Sequence, residues 1–154
     1  MAQVTVKGLN VIKDIENQAK DAVNEELERY FTVMANDAVD MASKGVWSGA
    51  YVKSFSFKAG NSSSRGRRVD GANWKFKEPT GTAADVEAGR SMLLGDIRSA
   101  FDNNDPLETK SYTIRNDANH ARFVEYGVNG GAHPPGPRPR DGYRIFTILR
   151  SRYG

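Results

Sequence analysis

From Val11 to Ser43 the apolar residues recur at steps of three and four: Ile12, Ile15, Ala19, Ala22, Val23, Leu27, Tyr30, Phe31, Met34, Ala38, Met41 and Ala42. Asp14, Glu16, Lys20, Asp21, Glu25, Glu28 and Asp37 fall between them. This spacing predicts one long amphipathic helix with a single apolar stripe. Gly45 follows the last periodic residue and is the natural stop. Ahead of the helix, Val4, Val6 and Leu9 suit a short strand or a staple onto its first turn.

After Gly45 the period changes. Tyr51, Phe55 and Phe57 alternate approximately with Lys53, Ser54 and Ser56, which predicts a strand. Lys58 to Ala72 is a run of Gly, Ser, Asn and Arg with little to bury, read as a flexible basic loop. Trp74 and Phe76, alternating with Lys75 and Lys77, predict a partner strand hairpinned to the first. Ala83 to Phe101 is helical in pattern, with Val86, Leu93, Leu94, Ile97, Ala100 and Phe101 on one face. Gly89 and Gly95 inside it each cost ~1 kcal/mol relative to alanine. Tyr112 to Arg115 reads as another short strand, Asn119 to Tyr126 as a brief helical turn, and Gly127 to Gly142 as a Pro/Gly-rich arm. Tyr143 to Leu149 supplies a last apolar element, strand or short helix.

These elements predict an α+β fold: a long N-terminal helix and a second helix packed on a small antiparallel sheet, with long loops. The chain has 154 residues, 38% apolar and 27% charged, which suits one domain over 1–154 with a modest core. Its 15 glycines cluster in the loops, and the absence of cysteine removes disulfides and thiolate metal sites. No run approaches the ~20 apolar residues of a membrane span. Met1 to Asn10 lacks the apolar core of a signal peptide. The expectation is a protein made and used in the cytoplasm, or packaged into something assembled there, with no membrane partner.

The net charge of +3 conceals a segregation. Lys7 to Ser43 carries four basic residues against eight acidic, a net of −4. Lys58 to Lys77 carries six against one, net +5, and Arg115 to the C-terminus seven against three, net +4. Opposite patches of this kind steer and register partners, and they equally serve as solvated faces.

Chemistry-bearing patterns are sparse. His120 and His133 lack companions at metal-ligand spacing, so neither a metal nor a general-base role is assigned. No nucleophile elbow, P-loop or dinucleotide fingerprint occurs, and Asp102, Asp105 and Asp117 sit in turn-forming contexts. Catalytic, metal and cofactor-binding residues are therefore all expected to be absent. Arg65, Arg67 and Arg68, followed by Trp74 and Phe76, combine cations with stacking surfaces and are the candidate DNA contacts.

The most specific stretch is HARFVEYGVNGGAHPPGPRPR, from His120 to Arg140. Phe123, Val124, Glu125, Tyr126 and Gly127 precede a loop holding Pro134, Pro135, Pro137, Arg138, Pro139 and Arg140. This resembles the small neck, or tail-completion, proteins of tailed bacteriophages, in which YA-x-x-VE-[FY]-GT leads into a proline-rich segment and an apolar helix. Ala121, Val124, Glu125, Tyr126 and Gly127 match that motif, while His120 replaces the aromatic and Val128 the threonine. Upstream, Trp47 to Phe55 resembles the family's TG-x-L-x-x-S-[IV] segment, which likewise follows a long N-terminal helix. The insert from Ala83 to Phe101 is longer than the family norm, and the apolar segment from Tyr143 to Arg150 is short.

The resemblance implies a non-enzymatic virion protein at the head–tail junction, forming a homo-oligomeric ring around the DNA channel. Its implied neighbours are portal- or adaptor-side proteins and tail-terminator or tail-tube proteins, with incidental contact to packaged DNA. Within the motif, Glu125 is expected to fix the turn by accepting backbone N–H bonds or by pairing with Arg122 or Arg138. The prolines would hold the arm extended, lowering the entropy lost on docking, with Arg138 and Arg140 reaching the acidic first helix of a neighbour. The alternative from the charge pattern is a small basic nucleic-acid-binding protein using residues 58–77.

Overall fold

The computed structural model describes residues 4–44, 49–60, 65–69, 81–127 and 142–154, with side chains from residue 13 onward apart from that of residue 123. The chain is α+β. Helix α1 spans Val4–Ser43, α2 Ala50–Lys53, α3 Ala83–Asn103, α4 Ala121–Tyr126 and α5 Ile145–Tyr153; strands β1, Phe55–Ala59, and β2, Tyr112–Asn116, form an antiparallel pair. The expected partner strand at Trp74 to Lys77, with Gly45 and Trp47, lies outside the described residues. Among the described residues β1 pairs with β2, which comes from beyond α3.

The expected short strand or staple at Val4 to Leu9 is helix, because α1 begins at Val4. The expected single stripe is also two stripes. From Leu27 onward the face made by Phe31, Met34, Ala35, Ala38 and Ala42 packs into the core. Carried back along the same side of the helix at 100° per residue, that face reads Asn24, Lys20, Asn17 and Lys13. Lys20 bonds Asp105 at 2.7 Å, which fixes this side towards the end of α3. Ile15, Ala19, Ala22 and Val23 lie about 120° further round and are exposed, Ile15 at 60%.

Tyr51 to Phe57 is not one strand. Tyr51 and Val52 are consecutive and both buried, which a period of two cannot deliver, whereas one helical turn can. Gly49, at φ 75°, admits the chain to that turn, and the Ser54 hydroxyl bonds the Ala50 carbonyl at 2.7 Å to end it. Alternation holds only from Phe55, where Phe55 and Phe57 enter the core. There Phe31, Phe57, Phe101 and Tyr112 form one aromatic cluster with centroid separations from 4.9 to 6.3 Å.

Helix α3 runs antiparallel to α1. Arg90 near its start holds Asn36 and Asp40 at 2.7 and 2.6 Å, and Asp105 past its end holds Lys20. Thr82 and Asp85 form a reciprocal capping box at its N-terminus. Gly89, unfavourable to the helix by itself, is buried where any Cβ would strike the Val52 backbone, so its bareness lets α2 and α3 meet; Gly95 faces open space.

The last apolar element is helix. Tyr153 and Arg152 of α5 bond the Asp37 carboxylate at 2.6 and 3.0 Å, and the Tyr30 hydroxyl bonds the Tyr153 carbonyl at 2.6 Å. These contacts latch α5 onto the middle of α1.

Candidate functional site

The Phe123–Gly127 motif is a clasp between three elements. Its Glu125 carboxylate is buried, 5% exposed, although it is an acid. The Tyr51 hydroxyl of α2 donates to Oε1 at 2.9 Å, and the Phe146 N–H at the start of α5 donates to Oε2 at 3.1 Å. Burial beside this carboxylate pushes the Tyr51 phenol far above its ordinary range, so it remains a donor. The expected backbone N–H bond to Glu125 is present. The expected arginine partner is not Arg122: among the described residues the second donor is Tyr51.

The backbone completes the clasp. The Tyr143 N–H donates to the Val124 carbonyl at 2.8 Å, and the Arg144 N–H to the Glu125 carbonyl at 3.0 Å. Gly127 and Gly142 have φ of 70° and 72°. A Cβ on Gly142 would collide with the Glu125 backbone, so residues 127 and 142 meet only because position 142 carries no side chain. Val124 is buried, whereas Tyr126 is 61% exposed beside the closure. Phe123 lies in α4. Pro134, Pro135, Pro137, Arg138 and Arg140 lie outside the described residues, as do Pro139 and His133.

His120 is buried, with its ring 6.1 Å from that of Tyr51. Among the described residues no group of three or more His, Asp or Glu side chains is placed to hold a metal ion. Three shallow grooves on the described surface are lined by other residues, and none of these three reaches Glu125, Tyr51 or His120. Both oxygens of the Glu125 carboxylate are engaged in bonds between elements, an arrangement that fixes the geometry of the clasp.

The three candidate DNA-contacting arginines do not act as a unit. Lys58 and Ala59 belong to β1, and residues 65–69, expected within a flexible loop, lie against the sheet edge. Flanking bonds from Gly60 to Ser111 and from Asp117 to Ser54 fix the ladder's alternation. In that register the backbone groups of Phe55 and Phe57 point outward from β1, and those of Tyr112 and Ile114 outward from β2. Arg67 Nη1 donates to the Phe55 carbonyl at 2.8 Å and Nη2 to Asp96 at 2.7 Å, while Asp96 accepts the Phe57 N–H at 3.3 Å. An ion pair thus occupies the outer edge of β1 as a neighbouring strand would. Val69 N–H donates to the Ser54 hydroxyl at 2.9 Å, and Gly66 N–H bonds the Asp117 carboxylate. Arg67 is therefore committed to the fold, while Arg65 and Arg68 are exposed. Trp74 and Phe76, the stacking half of that reading, lie outside the described residues.

Comparison with protein-family models, curated proteins and solved structures gives no match. No helix among the described residues is long and apolar enough to cross a membrane.

Proposed function

We propose that this chain is a non-enzymatic structural protein of the head–tail junction of a tailed bacteriophage. In this reading it assembles as a ring around the DNA channel and joins the capsid connector to the tail. The observation that carries the proposal is the use made of the VEYG motif. Its one carboxylate, Glu125, is spent on a buried clasp between α2, α4 and α5, the role of a scaffold and not of a reaction centre. The clasp gathers the two ends of the proline-rich segment at one point, as suits a docking arm. The ring's neighbours would be portal- or adaptor-side proteins on one face and tail-terminator or tail-tube proteins on the other.

The nucleic-acid reading loses one of its three cations, since Arg67 already has the Phe55 carbonyl and Asp96 as partners. Contact with packaged DNA then falls to exposed side chains such as Arg65, without sequence reading. The test is to disrupt the gene in its phage and image the lysate by negative-stain electron microscopy. Filled heads lying apart from finished tails are expected, and normal numbers of infectious particles would refute the proposal. Complementation with the Arg65→Ser/Arg68→Ser double variant should restore joining, whereas complementation with Glu125→Ala should not.

A further inference from the structure

Two apolar surfaces are left uncovered by the described residues, one flanked by acidic side chains and the other rimmed by an arginine. The first is the outward stripe on the N-terminal half of α1, Ile15, Ala19, Ala22 and Val23. Its surroundings are acidic: residues 13–29 hold Asp14, Glu16, Asp21, Glu25, Glu26 and Glu28 against Lys13, Lys20 and Arg29, a net of −3. Two of the three cations are already neutralised, Lys20 by Asp105 at 2.7 Å and Arg29 by Glu26 at 2.6 Å. Asp14, Glu16, Asp21, Glu25 and Glu28 make no ion pair among the described residues.

The second surface is a groove of about 250 Å³ between β2, α5 and the middle of α1, walled by Met34, Tyr112, Ile114, Phe146 and Leu149. It opens along the edge of β2 that the β1 ladder does not use. Arg150 lines its rim, exposed and without an ion pair among the described residues. The Tyr112 hydroxyl, on one of its lining residues, is buried with no hydrogen-bond partner among the described residues.

We infer that the outward stripe of α1 docks into the β2–α5 groove of a second copy of this chain. Ile15 and Val23 would supply the apolar filling, and the flanking glutamates would meet Arg150. The charge decides against the simplest competitor, in which two α1 stripes pair with each other, because that would bring two acidic segments together without a counter-charge. One copy cannot close the contact on itself: the centre of the stripe lies about 22 Å along a straight helix from Met34, at 1.5 Å per residue. A stripe and a groove at different places on one molecule make a head-to-tail contact that repeats, closing as a ring or growing as a filament. This assigns the subunit interface of the ring proposed above and rests on that reading only for self-association, not for location in a virion.

The chain has no cysteine, so single thiols report the contact directly. Ala19→Cys in the stripe and Thr113→Cys at the groove are prepared separately, with Ser91→Cys on the exposed side of α3 as a control for random collision. On mild oxidation the mixture of Ala19→Cys and Thr113→Cys is expected to give a disulfide-linked pair well above either variant alone. Adding Ile15→Asp to the first partner, or Arg150→Glu to the second, should lower that yield severalfold while circular dichroism shows both still folded. Self-linked Ala19→Cys as the main product would overturn the proposal in favour of helix-to-helix pairing. A mixed yield no higher than that obtained with Ser91→Cys would overturn it outright. The latter result beside a head–tail joining defect in the gene disruption would remove this interface and leave the junction reading standing.

Discussion

Glu125 and Asp96 are both acids that fasten distant segments, but they do so in different surroundings. Glu125 is 5% exposed and takes its two donors from α2 and α5. Asp96 keeps 24% of its side chain exposed, and its neighbour along α3, Asp85, keeps 23%. The same chemical group therefore works with water excluded in one case and within reach in the other. Removing a buried acceptor strands its donors where water has little access, whereas water replaces much of what a partly exposed one supplied. The energetic weight of each residue should follow its burial and not its number of bonds.

The largest expected effect is at Glu125. Glu125→Ala should destabilise the fold by about 3 kcal/mol, since it orphans the Tyr51 hydroxyl and the Phe146 N–H. Urea denaturation monitored by circular dichroism measures this. Tyr51→Phe, which removes one donor, should cost about 1 kcal/mol. Equal losses from the two variants would mean that the Phe146 bond contributes nothing. Asp96→Ala should cost about 1 kcal/mol, and it should speed hydrogen exchange at the Phe57 amide in particular. An exchange rate unchanged at Phe57 would show that the Arg67–Asp96 pair does not guard that edge.

A smaller effect is expected on acidification. The Lys53 ammonium, at 2.5 Å, and the Thr82 backbone and hydroxyl hold the Asp85 carboxyl at about 2. A carboxyl depressed in the folded state contributes stability above its unfolded pKa, ~3.9, and the contribution is lost as pH falls through the folded value. Acid unfolding between about pH 4 and pH 2 should therefore be blunted in Asp85→Asn. The smallest effect belongs to Arg65→Ser, which should shift stability by less than about 0.5 kcal/mol because the side chain is exposed. A larger loss would mean that the basic segment is part of the fold along its whole described length.

The same contrast separates what could be read in the sequence from what could not. The reach of α1 towards Ser43 and the extent of α3 were legible because their signals are local and periodic. Even there α1 shows one stripe in sequence and two in the fold, since a list of apolar steps does not reveal that the side turned towards the body passes from polar to apolar at Asn24 to Leu27. Helix α2 was hidden by Phe55 and Phe57, whose true alternation lent its period to the single turn before them. Glu125 stood out through its motif, yet its partner Tyr51 lies 74 positions away, and no spacing connects them. Arg67 looked like part of a charge run. Its partner Asp96, 29 positions on, turns one of three apparent surface cations into a structural one. Local composition shows where charge is, and only the fold shows which charge is already in use.

The meeting of Gly127 and Gly142 has a consequence for how such a chain diversifies. The Tyr143 and Arg144 amides bond the Val124 and Glu125 carbonyls, so the bonds that close the intervening segment are made by residues that flank it and not by the segment itself. Doubling a loop's length costs only ~0.6 kcal/mol in closure entropy. Replacing residues 128–141 with a short glycine–serine bridge should then leave the melting temperature within a few degrees of its original value. That outcome would make the meeting of Gly127 and Gly142 a place where segments of new length and chemistry can be inserted without disturbing the body.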